Sequence, residues 1–234
     1  MRRSILVAGA IAVALGALVL WGPAVPVLIP SEPSPGAGAV AVAAEHPFAI
    51  GDAQSARDQL AGLSIVSGWS PADYDRDAFG EAWFDLDGNG CSTRNDILAR
   101  DLLEVTLRED GCRVATGTLI DPYDGSVTDF VAGPDTSPAV QIDHVVALAW
   151  AWRHGADAWS DEQRIAFAND PGNLVAASAA TNQAKSDESP AEWLPGDLDF
   201  ACRFTIAWVG IVETYGLGVS TAEAETIRQV LEGC

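Results

Sequence analysis

Ala139-Val140-Gln141-Ile142-Asp143-His144-Val145-Val146-Ala147-Leu148 is the stretch on which the reading of this chain turns. One apolar run ends at Asp143-His144 and another begins there, so a short strand is expected over Gln141 to Val146. Downstream lie Asp170-Pro171-Gly172-Asn173-Leu174-Val175 and Thr181-Asn182-Gln183-Ala184-Lys185, which add two carboxamides and the chain's one lysine. A carboxylate, an imidazole and two carboxamides in this order can bind one divalent cation and activate one water. That chemistry points to metal-assisted phosphodiester cleavage. His144 suits proton abstraction, because an unperturbed imidazole titrates at about 6.5. Asp143 supplies an anionic oxygen for a hard cation and Asn182 a neutral one, with water filling the remaining positions. Neighbouring strand residues point to opposite faces, so Asp143 and His144 can converge on one phosphate only where the strand ends or bends.

Working outward, Cys112 to Leu119 and Ser126 to Val131 read as strands joined through the turn Asp121-Pro122-Tyr123-Asp124-Gly125. Asn173 to Ala177 reads as a further strand. Helices are expected over Asn95 to Leu107, from Trp150, over Asp161 to Ala168 with Ser160 as N-cap, from Thr181, over Asp199 to Tyr215 and over Thr221 to Leu231. The mixed order with hairpin spacing places the chain in the α+β class.

The N-terminus has the form of an export signal or signal anchor, residues 1–24. Met1-Arg2-Arg3 precedes an uncharged apolar stretch from Ile5 to Trp21, and Gly22-Pro23-Ala24 is a candidate processing site. Either reading places the remainder outside the cytoplasm, secreted or held at the outer face of the membrane through the apolar segment. Residues 25–68 are rich in Pro, Ala and Gly without clear apolar period and read as a linker, with a short helix around Ala53 to Leu63. The folded domain is expected over residues 69–234 as a monomer.

Four cysteines suit an oxidising compartment and allow three pairings. Cys91–Cys112 and Cys202–Cys234 are favoured because each closes a local loop. The absence of any CxxC spacing argues against zinc. The chain carries 13 Lys and Arg against 33 Asp and Glu, a formal charge of -20. This argues against passive polyanion binding, though not against an enzyme whose cation supplies the local positive charge.

The segment resembles the HNH, or ββα-metal, endonucleases: Asp-His at the end of one strand, Asn-Leu on the next, Asn-x-x-Lys on the following helix. It is similar to the nuclease module of some modification-dependent restriction enzymes, and from Trp69 to Cys234 to small secreted HNH-family proteins of bacteria. The resemblance runs through Trp83-Phe84-Asp85-Leu86-Asp87-Gly88-Asn89-Gly90-Cys91-Ser92-Thr93-Arg94, Arg100-Asp101-Leu102, Val140 to Val146, Phe167 to Leu174 and Glu192-Trp193-Leu194-Pro195. It implies a ββα-metal core elaborated by an N-terminal helix and hairpin region and by C-terminal helices. It also implies a nucleic-acid substrate, DNA first and RNA second, with His144 as general base. Asp143 and Asn182 would hold one divalent metal, Asn173 would orient His144, and Lys185 would contact a phosphate. Oxygen ligation favours Mg²⁺ or Mn²⁺.

Asp85, Asp87, Asn89 and Asp96 fall at positions one, three, five and twelve of a calcium-loop pattern, with Gly90 at six, so Ca²⁺ at a second site is a further expectation. The pattern departs in carrying Asp at twelve and Ser92 at eight. Arg94 and Arg100 flank it as candidates to grip the substrate backbone. A non-enzymatic, acidic calcium-binding surface module is the rival function, separated from a nuclease by whether it hydrolyses nucleic acid.

Overall fold

A β-ribbon, β4 (Val140–His144) and β5 (Leu174–Ser178), lies between two apolar clusters, and everything that positions the site follows from this. The structure is a computed structural model and describes Phe48, residues 51–67 and residues 70–234. The strands are antiparallel, pairing Asp143 with Val175 and His144 with Leu174. On one face Val140, Ile142, Leu174 and Ala176 join the cluster built by Ile97, Leu98, Val114, Leu119 and Phe130. On the other face Val175 and Ala177 meet the larger cluster around Trp150, Phe167, Phe204 and Trp208. A ribbon buried on both faces needs apolar residues at successive positions, which is why Leu174-Val175-Ala176-Ala177 does not alternate.

The first cluster belongs to helix α2 (Thr93–Asp101) and a three-stranded antiparallel sheet of β1 (Leu103–Leu107), β2 (Val114–Ile120) and β3 (Val127–Val131). A single helix from Asn95 to Leu107 does not form. The helix stops at Asp101, Leu102 is extended, and Leu103 to Leu107 become an edge strand on β2. The Asp101 carboxylate accepts from the Ala176 N–H at 2.8 Å. Pairing to β2 thus overrides an apolar period that a helix would also have satisfied.

Between β4 and β5 the chain inserts α3 (Leu148–Arg153) and α4 (Asp161–Ala168), the latter opened by a reciprocal cap between Ser160 and Gln163. After β5 the chain enters α5 (Ala179–Lys185), and α6 (Leu198–Thr214) and α7 (Thr221–Glu232) complete the fold. A strand, a returning strand and a helix therefore follow one another around the ribbon. Disulfides join Cys91 to Cys112 and Cys202 to Cys234, tying the start of α2 to β2 and α6 to the C-terminus.

The folded region begins earlier than residue 69. α1 (Ala53–Gly62), capped by Asp52, buries Ala56 and Leu60 in the larger cluster, which Phe48 also enters. Arg57 donates to the Leu231 carbonyl at 2.5 Å, and Ile65 bridges to Val219. Two buried residues one turn apart sufficed for docking, although the surrounding composition was that of a linker. The signal segment, residues 1–24, lies outside the described residues. Among the described residues no helix is long and apolar enough to cross a membrane.

Candidate active site

His144 is the last residue of β4, and the chain turns immediately after it. The turn is held by Asn173, which is fully buried: its Oδ1 accepts from the Val146 N–H at 2.8 Å and its Nδ2 donates to the Val146 carbonyl at 3.2 Å. The Asn173 carbonyl also accepts from Val145 N–H at 2.9 Å. Asn173 therefore positions the backbone that follows the imidazole and does not bond the ring.

The imidazole Nε2 lies 2.9 Å from the Ala168 carbonyl oxygen. A carbonyl only accepts, so Nε2 carries the proton and Nδ1 keeps the free lone pair of a base. Burial pushes the ring's pKa down to about 4, aided by the charges of Arg76 and Lys185 against the opposing Ala168 carbonyl. The base is consequently unprotonated at neutral pH. Trp83 lies nearly parallel to it, ring centroids 6.2 Å apart.

Asp143 points to the other side of the strand. Tyr123 donates its hydroxyl to Asp143 Oδ2 at 2.5 Å, and the Lys185 ammonium donates to Oδ1 at 3.1 Å and to the His144 carbonyl at 2.8 Å. Burial raises the Asp143 carboxyl above the ordinary range, while Lys185 and Tyr123 hold that rise back. Burial and the adjacent carboxylate raise the Tyr123 phenol well above its usual value, so it remains a donor.

Lys185 is thus not the surface cation expected to meet a phosphate. It is completely buried at the end of α5 and is spent on Asp143. One turn earlier on α5, Asn182 donates Nδ2 to Gln141 Oε1 at 2.7 Å, which leaves its side-chain Oδ1 without a protein donor among the described residues. Because β4 ends at His144, Asp143, His144 and Asn182 all line one cavity of about 240 Å³ despite their alternation along the strand. A second cavity of about 280 Å³ opens on the other side of His144 beneath Trp83.

A hard divalent cation takes oxygen donors, and the Asp143 carboxylate and the Asn182 side-chain oxygen are two that line this cavity, the carboxylate being bonded on one oxygen to Tyr123 and on the other to Lys185. The Lys185 ammonium is the resident competitor for that carboxylate.

The flanking arginines are corrected by the structure. Arg94 donates to the Val140 carbonyl at 2.9 Å, and burial lowers its pKa. Arg100 donates to the Pro171 carbonyl at 2.7 Å and the Leu174 carbonyl at 2.6 Å, and pairs with Asp101. Both guanidiniums cross-link main chain around the ribbon and are not presented to a substrate. Asp85, Asp87, Asn89 and Asp96 do converge: Asn89 Nδ2 donates to Asp87 at 3.1 Å and to Asp96 at 3.3 Å. Asp85 accepts from the N–H groups of Asn89 and Gly90, so the loop satisfies these carboxylates from within. Among the described residues no group of three His, Cys, Asp or Glu is arranged to hold a metal.

Four contributors carried no sequence signal of their role. Tyr123 sits in a hairpin turn and reaches Asp143 across 20 residues. In the same turn buried Asp121 accepts from the Ser178 N–H and the Thr181 hydroxyl, both at 2.7 Å, anchoring the start of α5. Trp83 and Arg76 reach His144 from outside the ribbon. Spacing along the chain could reveal none of these contacts.

An α+β chain with an acid, a base and an amide gathered where a strand gives way to a helix has the layout of a hydrolytic site. Residues 92–229, more than half of the chain, match the family described as GmrSD restriction endonucleases, C-terminal domain. The chain belongs to this family. It is also 35% identical over 187 residues, covering 79% of this chain and 87% of the relative, to a protein of Arthroderma benhamiae described as an uncharacterized secreted protein. That relative is a fungal and not a bacterial protein. No solved structure matches.

Proposed function

We propose that this chain is an exported, metal-dependent HNH endonuclease that hydrolyses phosphodiester bonds of DNA, with RNA as a second substrate to be tested. One observation carries the reading: a neutral imidazole with its Nε2 proton fixed on the Ala168 carbonyl shares a cavity with Asp143 and Asn182. Membership of a restriction-endonuclease family supports the reaction class, and the secreted relative supports export.

His144 Nδ1 takes the proton from water, and the resulting imidazolium is stabilised by its hydrogen bond to the Ala168 carbonyl. The hydroxyl attacks phosphorus in line, and the 3′ oxygen departs. Asn173 keeps the turn closed, so the imidazole stays oriented through the reaction. A divalent cation, Mg²⁺ or Mn²⁺, held by Asp143 and Asn182 would offset charge on the phosphate and on the departing oxygen. Lys185 and Tyr123 fix the Asp143 carboxylate in place.

Plasmid cleavage by the full chain with Mg²⁺ or Mn²⁺, beside a chelated sample and His144→Ala, tests this. Cleavage should fall by about 10²–10⁴-fold in His144→Ala and vanish with chelator. Wild-type protein that leaves plasmid, single-stranded DNA and RNA intact would sink the proposal. Inert protein that Ca²⁺ nevertheless stabilises would return the calcium-module alternative.

A further inference from the structure

We infer, resting on the nuclease reading above, that Arg76 grips the phosphodiester that is attacked at His144. Arg76 lines both cavities that meet at His144. Its side chain is exposed, and no carboxylate lies within salt-bridge distance of it among the described residues. Of the acids beside it in sequence, Asp75 accepts from the Asp77 N–H at 3.0 Å and forms no ion pair with Arg76. Other cations near the site are committed. Lys185 is held by Asp143, Arg153 by Asp187, and Arg94 and Arg100 by main-chain carbonyls.

The root of Arg76 is fixed, and its exposed head hydrogen-bonds the Tyr74 hydroxyl, a neutral partner that leaves its charge uncompensated. It begins the short turn Asp77–Phe79, where Phe79 is buried and the Ala78 carbonyl accepts from Arg164 at 3.1 Å. The same arm carries Trp83, whose φ of 61° is a conformation that bulky residues rarely adopt. Strain of this kind persists where surrounding structure enforces it, and it clusters at ligand-holding sites. Here it accompanies the ring's placement along His144, on the cavity that Arg76 shares. In a chain of charge -20, background attraction for a polyanion is absent, so one guanidinium that forks onto phosphate oxygens supplies much of the recognition.

The test compares full-length wild type, Arg76→Gln and Arg76→Lys on plasmid DNA and on bis(p-nitrophenyl) phosphate, with melting temperature as the fold control. In Arg76→Gln, kcat/KM should fall by about 10²-fold or more on both substrates, and the slope of log KM for DNA against log salt should shrink by about one. Arg76→Lys should restore the slope but only part of the rate, since a point charge replaces a fork. Unchanged rates and slope in an active enzyme would overturn the inference alone. Loss on DNA with the small diester untouched would overturn it too, because Arg76 would then hold a neighbouring phosphate. An inert wild type would overturn both the inference and the reading beneath it.

Discussion

The Lys185 ammonium lies 3.1 Å from the Asp143 carboxylate, and both side chains are almost wholly removed from water. This pair joins the last turn of α5 to the end of β4 and so sets the distance between Asn182 and His144. Lys185→Met should destabilise the protein by about 3–5 kcal/mol, because it leaves a carboxylate buried without its counter-charge. Asp143→Asn combined with Lys185→Met should cost less than the sum of the two single changes. Urea midpoints of the four proteins read this coupling. Additive losses would mean that the two charges do not interact.

The imidazole of His144 gives a pH prediction with a definite sign. In the unfolded chain it titrates at about 6.5, and in the folded protein at about 4. Between these values the unfolded state binds more protons, so stability is complete above the upper value and is lost as pH falls towards the lower one. The loss is on the order of 3 kcal/mol. His144→Gln should flatten this part of the profile in denaturation experiments. The acid limb of the pH–rate profile should likewise lie below the ordinary histidine range, since the base is neutral there.

Asn173 is the next residue whose removal should be felt. Asn173→Ala strips partners from the N–H and carbonyl of Val146, a residue with no exposure. The expected loss is about 2–4 kcal/mol from two unsatisfied buried groups. Activity should fall further than stability explains at a temperature where the variant remains folded, because the turn after His144 loosens. Retention of full kcat would show that the turn does not position the base.

The N-terminal boundary can be tested by truncation. A chain beginning at residue 69 lacks Phe48, Ala56 and Leu60, all of which enter the larger cluster. Each lost large apolar side chain costs about 2–5 kcal/mol, so this protein should be unfolded or melt far below one that begins before Phe48. Equal melting temperatures would show that α1 is dispensable.

Much of this architecture was legible along the chain because local rules produce it. Ser160 with Gln163, and the Ser220 that begins the last helix with Glu223, cap helices where such residues should. The strand through Asp143-His144, the strand from Asn173-Leu174 and the helix bearing Asn182 were readable from patterning, although the first strand stops at His144 and does not run on to Val146 as its apolar residues suggested. So were the two cysteine loops, which are local in sequence. The stretch from Asn95 to Leu107 was ambiguous for a physical reason. Its apolar positions suit a helix and an edge strand alike, and the partner β2 that decides between them lies beyond a turn.

Residue types near the site were set by sequence, but their employment was decided by the fold. Lys185, Arg94 and Arg100 look alike in one dimension, as cations beside a candidate phosphate site. Packing buries the first against Asp143 and bonds the other two to main-chain carbonyls around the ribbon. Arg76 is left exposed over both cavities. Charge and hydrogen-bonding capacity belong to the side chain. The partner that uses them depends on which distant segment arrives within about 3 Å, the range over which hydrogen bonds act.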